Sequence, residues 1–433
     1  MFPMRRAVTV ALAAIALLAV GAIFGLRGTP APPAPAAAVV RADRLAQTVS
    51  QAQQRLRKVP RDHRTWAELG LAYVEQARVS ADPSRYPMAE AALRRSLSVR
   101  PKDNPDALTG LGALANARHD FTAARSFARE ALKINTFSAD AYGVLADAET
   151  QLGRPAEATA AIQHMLDLRP GLAAYARASY DLEQRGRLPE AAGLMRRALD
   201  AAVDPADVAF CRTQLGDLAL AQGDLKSAGA EYAAGLAAAP DYQPLLRGRA
   251  RVAAATGDLG AAVADLRAIA ARTPTPETLM EYASVLRLDG REPDATRQLT
   301  LAQAAHRVFV ANGGRDDLTA AQLALATGDA REAVAAARSE WRRRPFAEVA
   351  DVLAQSLHAA GRDREALPYA TKATTASPHN ASYAYHRALI ALQLGDRATA
   401  LTELRRTRSL NPYFSPTDAP NAARALSALE AQR

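Results

Sequence analysis

The side chains that could transfer protons or hold a metal ion are few and scattered in this chain of 433 residues. Histidine can do both near neutral pH, yet no two histidines lie four residues apart, the spacing that puts two ligands on one helix face. The histidines that come closest to forming a group are His379 and His386, which are preceded by His358. The seven histidines are His63, His119, His164, His306, His358, His379 and His386. Loop and surface positions explain them better than ligation, so we expect no metal site.

Motifs for nucleotide binding or hydrolysis are also missing from the sequence. It contains no G-x-x-x-x-G-K-[ST], H-E-x-x-H, G-x-S-x-G or G-x-G-x-x-G. The single cysteine, Cys211, excludes an internal disulfide, a cysteine-based zinc site and an iron–sulfur cluster. It fits a packed residue better than a nucleophile. We therefore expect no enzyme activity and no cofactor.

Arginine supplies most of the positive charge, and the formal net charge is +9. Groups of adjacent arginines at 94–95, 196–197, 342–344 and 405–406 could contact the phosphates of nucleic acids or of anionic lipids. Each group falls in the last turns of a predicted helix, where cations stabilise the negative end of the helix dipole. We expect these arginines to be structural, and we expect no nucleic-acid partner.

The N-terminal sequence predicts a membrane anchor followed by a spacer. Two arginines precede an uncharged apolar run at residues 7–26, and a helix of that length spans about 30 Å, the thickness of a bilayer core. A cleaved signal usually has a shorter run, about 7–15 residues. We predict a signal anchor at residues 1–27, a Pro/Ala linker at 28–40, and the remainder outside the cytoplasm. The alternative is a secreted protein cleaved near residues 36–38.

The remaining sequence repeats one short unit. The chain is 49% hydrophobic but only 5% aromatic, and much of the apolar share is alanine, which suits closely packed helices better than strands. Turn-forming segments recur every 33 to 38 residues. They begin at His119, Gly153, Gly186, Gly223, Gly257, Gly290, Gly328, Gly361 and Gly395. A small residue usually follows five positions later, and a proline often closes the unit.

The first unit shows the pattern within a helix. Trp66, Leu69, Gly70 and Tyr73 follow the spacing i, i+3, i+4, i+7 and share one helix face. This W-x2-L-G-x2-Y pattern, with the later small-residue and proline positions, resembles the tetratricopeptide repeat family. The resemblance implies an all-α fold, a right-handed α-solenoid of about ten helix pairs over residues 61–412.

Helices should also flank the array, and some units should be irregular. An N-terminal helix at 41–60 and a capping helix at 413–433 would cover the end faces of the stack. Extra residues occur near 78–84, 201–207 and 305–315. We expect local distortion there.

Two arginines occupy a position that is normally buried in such a unit. Arg249 and Arg387 stand where Leu69 stands in the first unit. A buried guanidinium without a partner is costly, so we expect each to be ion-paired or to reach solvent.

The resemblance also implies that fixed positions on each first helix face a concave groove. On this chain they form an acidic stretch with an aromatic residue beside a basic stretch, which suits a peptide of mixed charge. The predicted groove residues are Asp147, Tyr180, Glu183, Asp217, Arg247, Arg251, Met280, Arg287, Gln355 and His358.

These observations predict a membrane-tethered extracytoplasmic scaffold that binds a peptide or partner protein, itself an envelope or membrane protein, in its groove. The alternative is a secreted repeat protein that binds a small ligand or metal for an envelope transport system. The abundance of alanine and the preference for arginine over lysine favour a bacterial source of high GC content.

Overall fold

The computed structural model describes residues 36–431, and this part of the chain consists of 22 α-helices without a β-strand. The predicted all-α class is therefore confirmed. Ten helix pairs lie between a leading helix, α1, and a closing helix, α22. Even-numbered helices from α2 to α20 are the first helices of the pairs, and the odd-numbered helices that follow are the second.

The helices of the first half are α1 (Ala36–Lys58), α2 (His63–Ser80), α3 (Arg85–Val99), α4 (Pro105–Ala117), α5 (Phe121–Ile134), α6 (Ala139–Gln151), α7 (Pro155–Leu168), α8 (Leu172–Gln184), α9 (Leu188–Asp200), α10 (Pro205–Ala221) and α11 (Leu225–Ala238). Those of the second half are α12 (Gln243–Ala255), α13 (Leu259–Arg272), α14 (Pro276–Leu288), α15 (Glu292–Ala311), α16 (Asp317–Thr327), α17 (Ala330–Arg343), α18 (Ala347–Ala359), α19 (Asp363–Ala376), α20 (Ala381–Gln393), α21 (Arg397–Leu410) and α22 (Asp418–Ala431).

The turn inside a pair forms at the recurring segment that the sequence marks. After α10, Gly223 has a φ of +74°, a left-handed conformation that glycine adopts without steric cost. The next residue, Asp224, caps α11 by accepting a hydrogen bond from the backbone N–H of Ser227 at 2.9 Å. One residue thus ends the first helix and its neighbour starts the second, which brings the second helix back against the first.

Small side chains let the paired helices approach closely. The alanines predicted on the second helices are at most 1% exposed, and they are Ala158, Ala191, Ala228, Ala262, Ala295, Ala333, Ala366 and Ala400. One such close approach surrounds Tyr232 of α11, whose side chain is fully buried. A Cβ added at Gly216 of α10 or Gly248 of α12 would lie 2.3 Å from the Tyr232 ring. Packing therefore requires glycine on both sides of this ring.

The extra residues lengthen helices instead of breaking them. Helices α2, α10 and α15 contain 18, 17 and 20 residues, whereas most other helices have 13 or 14. The extra residues are therefore absorbed partly as additional helical residues, and the rest of them form the loops at 81–84, 201–204 and 312–316.

Arg249 and Arg387 behave as expected. The Arg249 side chain is 53% exposed and donates two hydrogen bonds to Asp265, at 2.7 and 2.8 Å. Arg387 is more enclosed, at 25% exposed, and its Nη1 donates to the Glu403 carboxylate at 2.9 Å. Neither guanidinium is left without a carboxylate.

The terminal helices pack on the ends of the array. Leu56 of α1 shares a hydrophobic cluster with Leu69 of α2, and Leu426 of α22 does so with Leu404 of α21. Helix α1 starts at Ala36, so five residues assigned to the linker are helical; alanines favour this start. The predicted membrane segment at 7–26 lies outside the described residues. Among residues 36–431, no helix is both long enough and apolar enough to cross a bilayer.

Candidate binding groove

Turns of early pairs contact loops of later pairs, so residues 36–431 coil back on themselves. Nη1 of Arg344 donates to Oε1 of Gln151 at 2.6 Å across 193 residues of sequence. Nδ2 of Asn411 donates to the backbone carbonyl of Leu220 at 2.8 Å across 191 residues. At 33 to 38 residues per unit, one turn of the coil contains between five and six units. We call this line of contacts the seam.

Two cavities lie among the first helices inside this coil. The Tyr180 cavity has a volume of about 620 Å³ and is lined by side chains of α4, α6, α8, α10, α14, α16 and α18. The Glu183 cavity has about 660 Å³ and is lined by α8, α10, α12, α14 and the segment 411–418 that leads into α22. Tyr180 and Glu183 are three residues apart on α8, so the two cavities meet along one helix.

Five of the ten predicted groove residues line these cavities. Asp147 and Tyr180 lie in the Tyr180 cavity, and Glu183, Asp217 and Arg251 lie in the Glu183 cavity. The structure thus brings together side chains from α6, α8, α10 and α12 along these two cavities.

The other five predicted residues do not line either cavity. Met280 packs partly buried against the hydrophobic clusters around α14. Arg287 donates to Glu292 at 3.1 Å, and Gln355 donates to Asp351 at 2.7 Å. His358 contacts Asp363, while Arg247 lies beside the Glu183 cavity and pairs with Glu281.

The two arginines of the predicted basic stretch share one carboxylate partner that the sequence did not reveal. Glu281 of α14 accepts from Nε of Arg251 at 2.7 Å and from Nε of Arg247 at 2.5 Å. Burial acts to raise the pKa of Glu281, but the two guanidiniums hold that pKa below its usual range. Two arginines four residues apart on one helix face repel each other, so a carboxylate partner near them was to be expected.

A tyrosine from a second helix also reaches the groove. The Tyr232 hydroxyl donates to Oδ1 of Asp217 at 2.7 Å. Burial raises the pKa of Asp217, and this hydrogen bond and the positive charge of Arg251 oppose the rise.

Glu183 differs from Glu281 and Asp217 in having no polar partner in the part of the chain that the structure describes. No hydrogen bond or ion pair reaches its carboxylate among the described residues. Burial, reinforced by the negative charge of Asp217, raises the pKa of Glu183 to about 7. This carboxyl therefore changes charge near neutral pH, and a positive group placed beside it would favour the ionised form.

The Tyr180 cavity combines an aromatic ring with further acidic groups. Tyr180 is 39% exposed, and enclosure by the groove together with nearby Glu183 raises the pKa of its hydroxyl to about 12. Arg177 donates to both oxygens of Asp147, at 2.7 and 2.8 Å. Burial raises the pKa of Glu348, which has no hydrogen-bond partner among the described residues.

The same surface does not gather metal ligands among the described residues. Within residues 36–431, no three His, Cys, Asp or Glu side chains are grouped so that they could hold a metal ion. His386 and Asp351 pair at 2.9 Å, and no third ligand of these types completes a site there.

The arginine groups take part in intramolecular contacts. Arg94 pairs with Glu90, Arg405 with Glu430, and Arg344 with the buried Glu340. The guanidinium of Arg197 lies 5.0 Å from the centre of the Tyr175 ring.

A family model described as tetratricopeptide repeat matches residues 213–277 and 352–413. These segments resemble tetratricopeptide repeats. They cover most of helices α10 to α13 and α18 to α21, and they contain both Asp217 of the Glu183 cavity and Asn411 of the seam. A comparison with curated proteins finds no match.

Several solved structures resemble the chain at low identity. The APC/C Cut9–Hcn1 hetero-tetramer shares 16% identity over 84% of this chain and 76% of that chain, with a TM-score of 0.43. The human IFIT1 dimer with PPP-AAAA shares 16% over 76% and 77%, with a TM-score of 0.48. PilF of Pseudomonas aeruginosa shares 19% over 56% and 92%, with a TM-score of 0.30.

Proposed function

We propose that the protein is an interaction scaffold that binds a segment of a partner protein inside the coil of its helix pairs. One observation carries this proposal: first helices from separate pairs line two adjoining cavities of about 620 and 660 Å³. A surface that long suits an extended or helical segment better than a single small molecule. Stacked repeats use their concave faces in this way. We further propose that the scaffold has no enzyme activity.

We also propose that residues 7–26 tether the scaffold to a bacterial membrane, with the repeats outside the cytoplasm. The uncharged length of this run and the two preceding arginines support the proposal. The partner would then be an envelope or membrane protein. The second candidate, a secreted protein that binds a small ligand or metal, is favoured if the mature chain begins near residues 37–39.

Photocrosslinking of the full-length chain in its membrane tests the scaffold directly. A benzophenone amino acid replaces Tyr180 in the groove or, as the control, Phe137, a loop residue that is 79% exposed. We expect a discrete protein adduct from position 180 and none from position 137. Equal adducts from both positions, or no protein adduct from position 180, would contradict the proposal.

Fractionation and N-terminal sequencing of the same chain test its location. An anchored chain keeps its first residues, fractionates with membranes and exposes the repeats to protease on the non-cytoplasmic side. A soluble chain that starts near residue 37 would favour the secreted alternative.

A further inference from the structure

The interior of the coil has the opposite charge balance from the chain as a whole. The sequence has 54 Lys and Arg against 45 Asp and Glu. The Tyr180 and Glu183 cavities are lined by eight Asp or Glu side chains and by three arginines. The inner surface is therefore acidic within a basic protein, and such a surface attracts cations.

The lining arginines do not offset this acidity, because each is already engaged. Arg251 pairs with Glu281, Arg177 with Asp147, and Arg344 with Glu340. Six lining carboxylates have no Lys or Arg partner among the described residues: Glu183, Asp217, Glu277, Asp316, Glu348 and Asp418. The uncompensated charge of the groove is thus negative.

Two of these carboxylates, Glu183 and Glu348, also lack any hydrogen bond among the described residues, although the cavities partly enclose them. An enclosed carboxylate without a donor carries a desolvation cost that a cationic ligand would relieve. Their side chains come from α8 and α18, so each of the two cavities contains one carboxylate that a positive charge would stabilise.

Aromatic rings accompany these acids. Phe210 and Tyr180 line one cavity, and Tyr413 and Phe414 line the other. Ring faces attract ammonium and guanidinium groups. The acids are also spread out, since no three of them form a metal-binding group within residues 36–431. Separated acids with rings between them match several cations on one chain better than a single ion.

We propose that the groove binds a basic segment of the partner, with one Lys or Arg side chain in the Glu183 cavity and another near Glu348. This rests on the proposed scaffold function and specifies the chemistry of the bound segment. A cationic head contacts Glu183 and Asp217 while its aliphatic stem lies along Tyr413 and Phe414.

Fluorescence anisotropy on the full-length chain tests this charge preference. The probe is a fluorescein-labelled peptide of alternating lysine and serine, and the comparison is a glutamate–serine peptide of equal length. Glu183→Gln keeps the side-chain shape and loses no hydrogen bond. We expect it to weaken lysine-peptide binding about tenfold, the effect of one charge-assisted contact. The matched control Glu130→Gln, on the exposed face of α5, should leave binding unchanged.

Charge reversal keeps the test decisive. Glu183→Lys should lose the lysine peptide and gain the glutamate peptide. Unchanged affinity in Glu183→Gln, or equal binding of both peptides by the unmodified chain, would overturn the inference. So would spermidine binding that depends on Glu183 while the lysine peptide fails to bind.

Different results would refute the scaffold proposal and the basic-segment inference. An adduct from position 180 whose crosslinked partner segment lacks Lys and Arg would refute the basic-segment inference but keep the scaffold. Absence of any protein adduct would refute the scaffold itself.

Discussion

Replacing Glu183 by glutamine should raise the free energy of unfolding at neutral and alkaline pH but leave it unchanged at acidic pH. The pKa of this carboxyl is about 7 in the folded chain against an ordinary value of 4.5. Folding therefore favours its protonated form. Below about pH 4.5 both states are protonated and the group costs nothing; the penalty grows as the pH rises through 7 and is complete above it. The groups that face Glu183 across its cavities are Asp217, Arg251, Glu281, Asp418, His379 and Tyr383.

The magnitude follows from the difference between the two pKa values. At about 1.4 kcal/mol per pKa unit the ionised carboxylate costs up to ~3 kcal/mol, and water in the open cavity reduces this to about 1–3 kcal/mol. Glutamine never ionises, so Glu183→Gln should raise the free energy of unfolding by that amount near pH 8.

Urea unfolding followed by circular dichroism measures this difference in the full-length chain. The variant and the unmodified chain should have the same midpoint near pH 4 and diverge as the pH rises. Glu130→Gln serves as the control and should show no divergence. A stability gain that is the same at all pH values, or a loss near pH 8, would refute the reasoning about this carboxyl.

Three further substitutions test the packing and the seam. Tyr232→Phe removes the donor to Asp217 and should lower the free energy of unfolding by about 1–3 kcal/mol in urea titrations. Gly216→Ala should cost about 1–3 kcal/mol, since its Cβ would lie 2.3 Å from the Tyr232 ring, whereas Gly229→Ala, with its nearest neighbour at 3.9 Å, should be neutral or stabilising. Asn411→Ala should speed hydrogen exchange of the backbone amides in the α10–α11 turn.

Each of these three predictions has a result that would contradict it. Wild-type stability in Tyr232→Phe would mean that Asp217 needs no donor. Equal effects of the two glycine substitutions would show that ring contact is not what constrains Gly216. Unchanged exchange in the α10–α11 turn, with Asn411 replaced, would remove support for the seam.

The helix pairs could be predicted because their signals are local. Turn glycines, capping aspartates and apolar residues at helical spacing lie within one unit of about 34 residues. The extra residues near 305–315 were harder to interpret, since sequence spacing alone does not distinguish a distorted loop from the longer helix α15.

The groove was predictable only in part. The face of the first helices followed from the repeat, so Asp147, Tyr180 and Asp217 were placed in the cavities. The charge of the groove did not follow, because Glu281 of another pair binds both Arg247 and Arg251. The seam joins residues about 190 positions apart, and nothing in a single repeat encodes which distant turn it meets.

The seam changes how this array should respond to force and to truncation. A stack whose members touch only adjacent members frays from its ends, and the middle is unaffected. Here the loop after α21 is hydrogen-bonded to the last turn of α10. Removing the last helices would therefore also remove a contact from the centre of the chain. Such a coil should open in larger cooperative steps than an open stack of the same length.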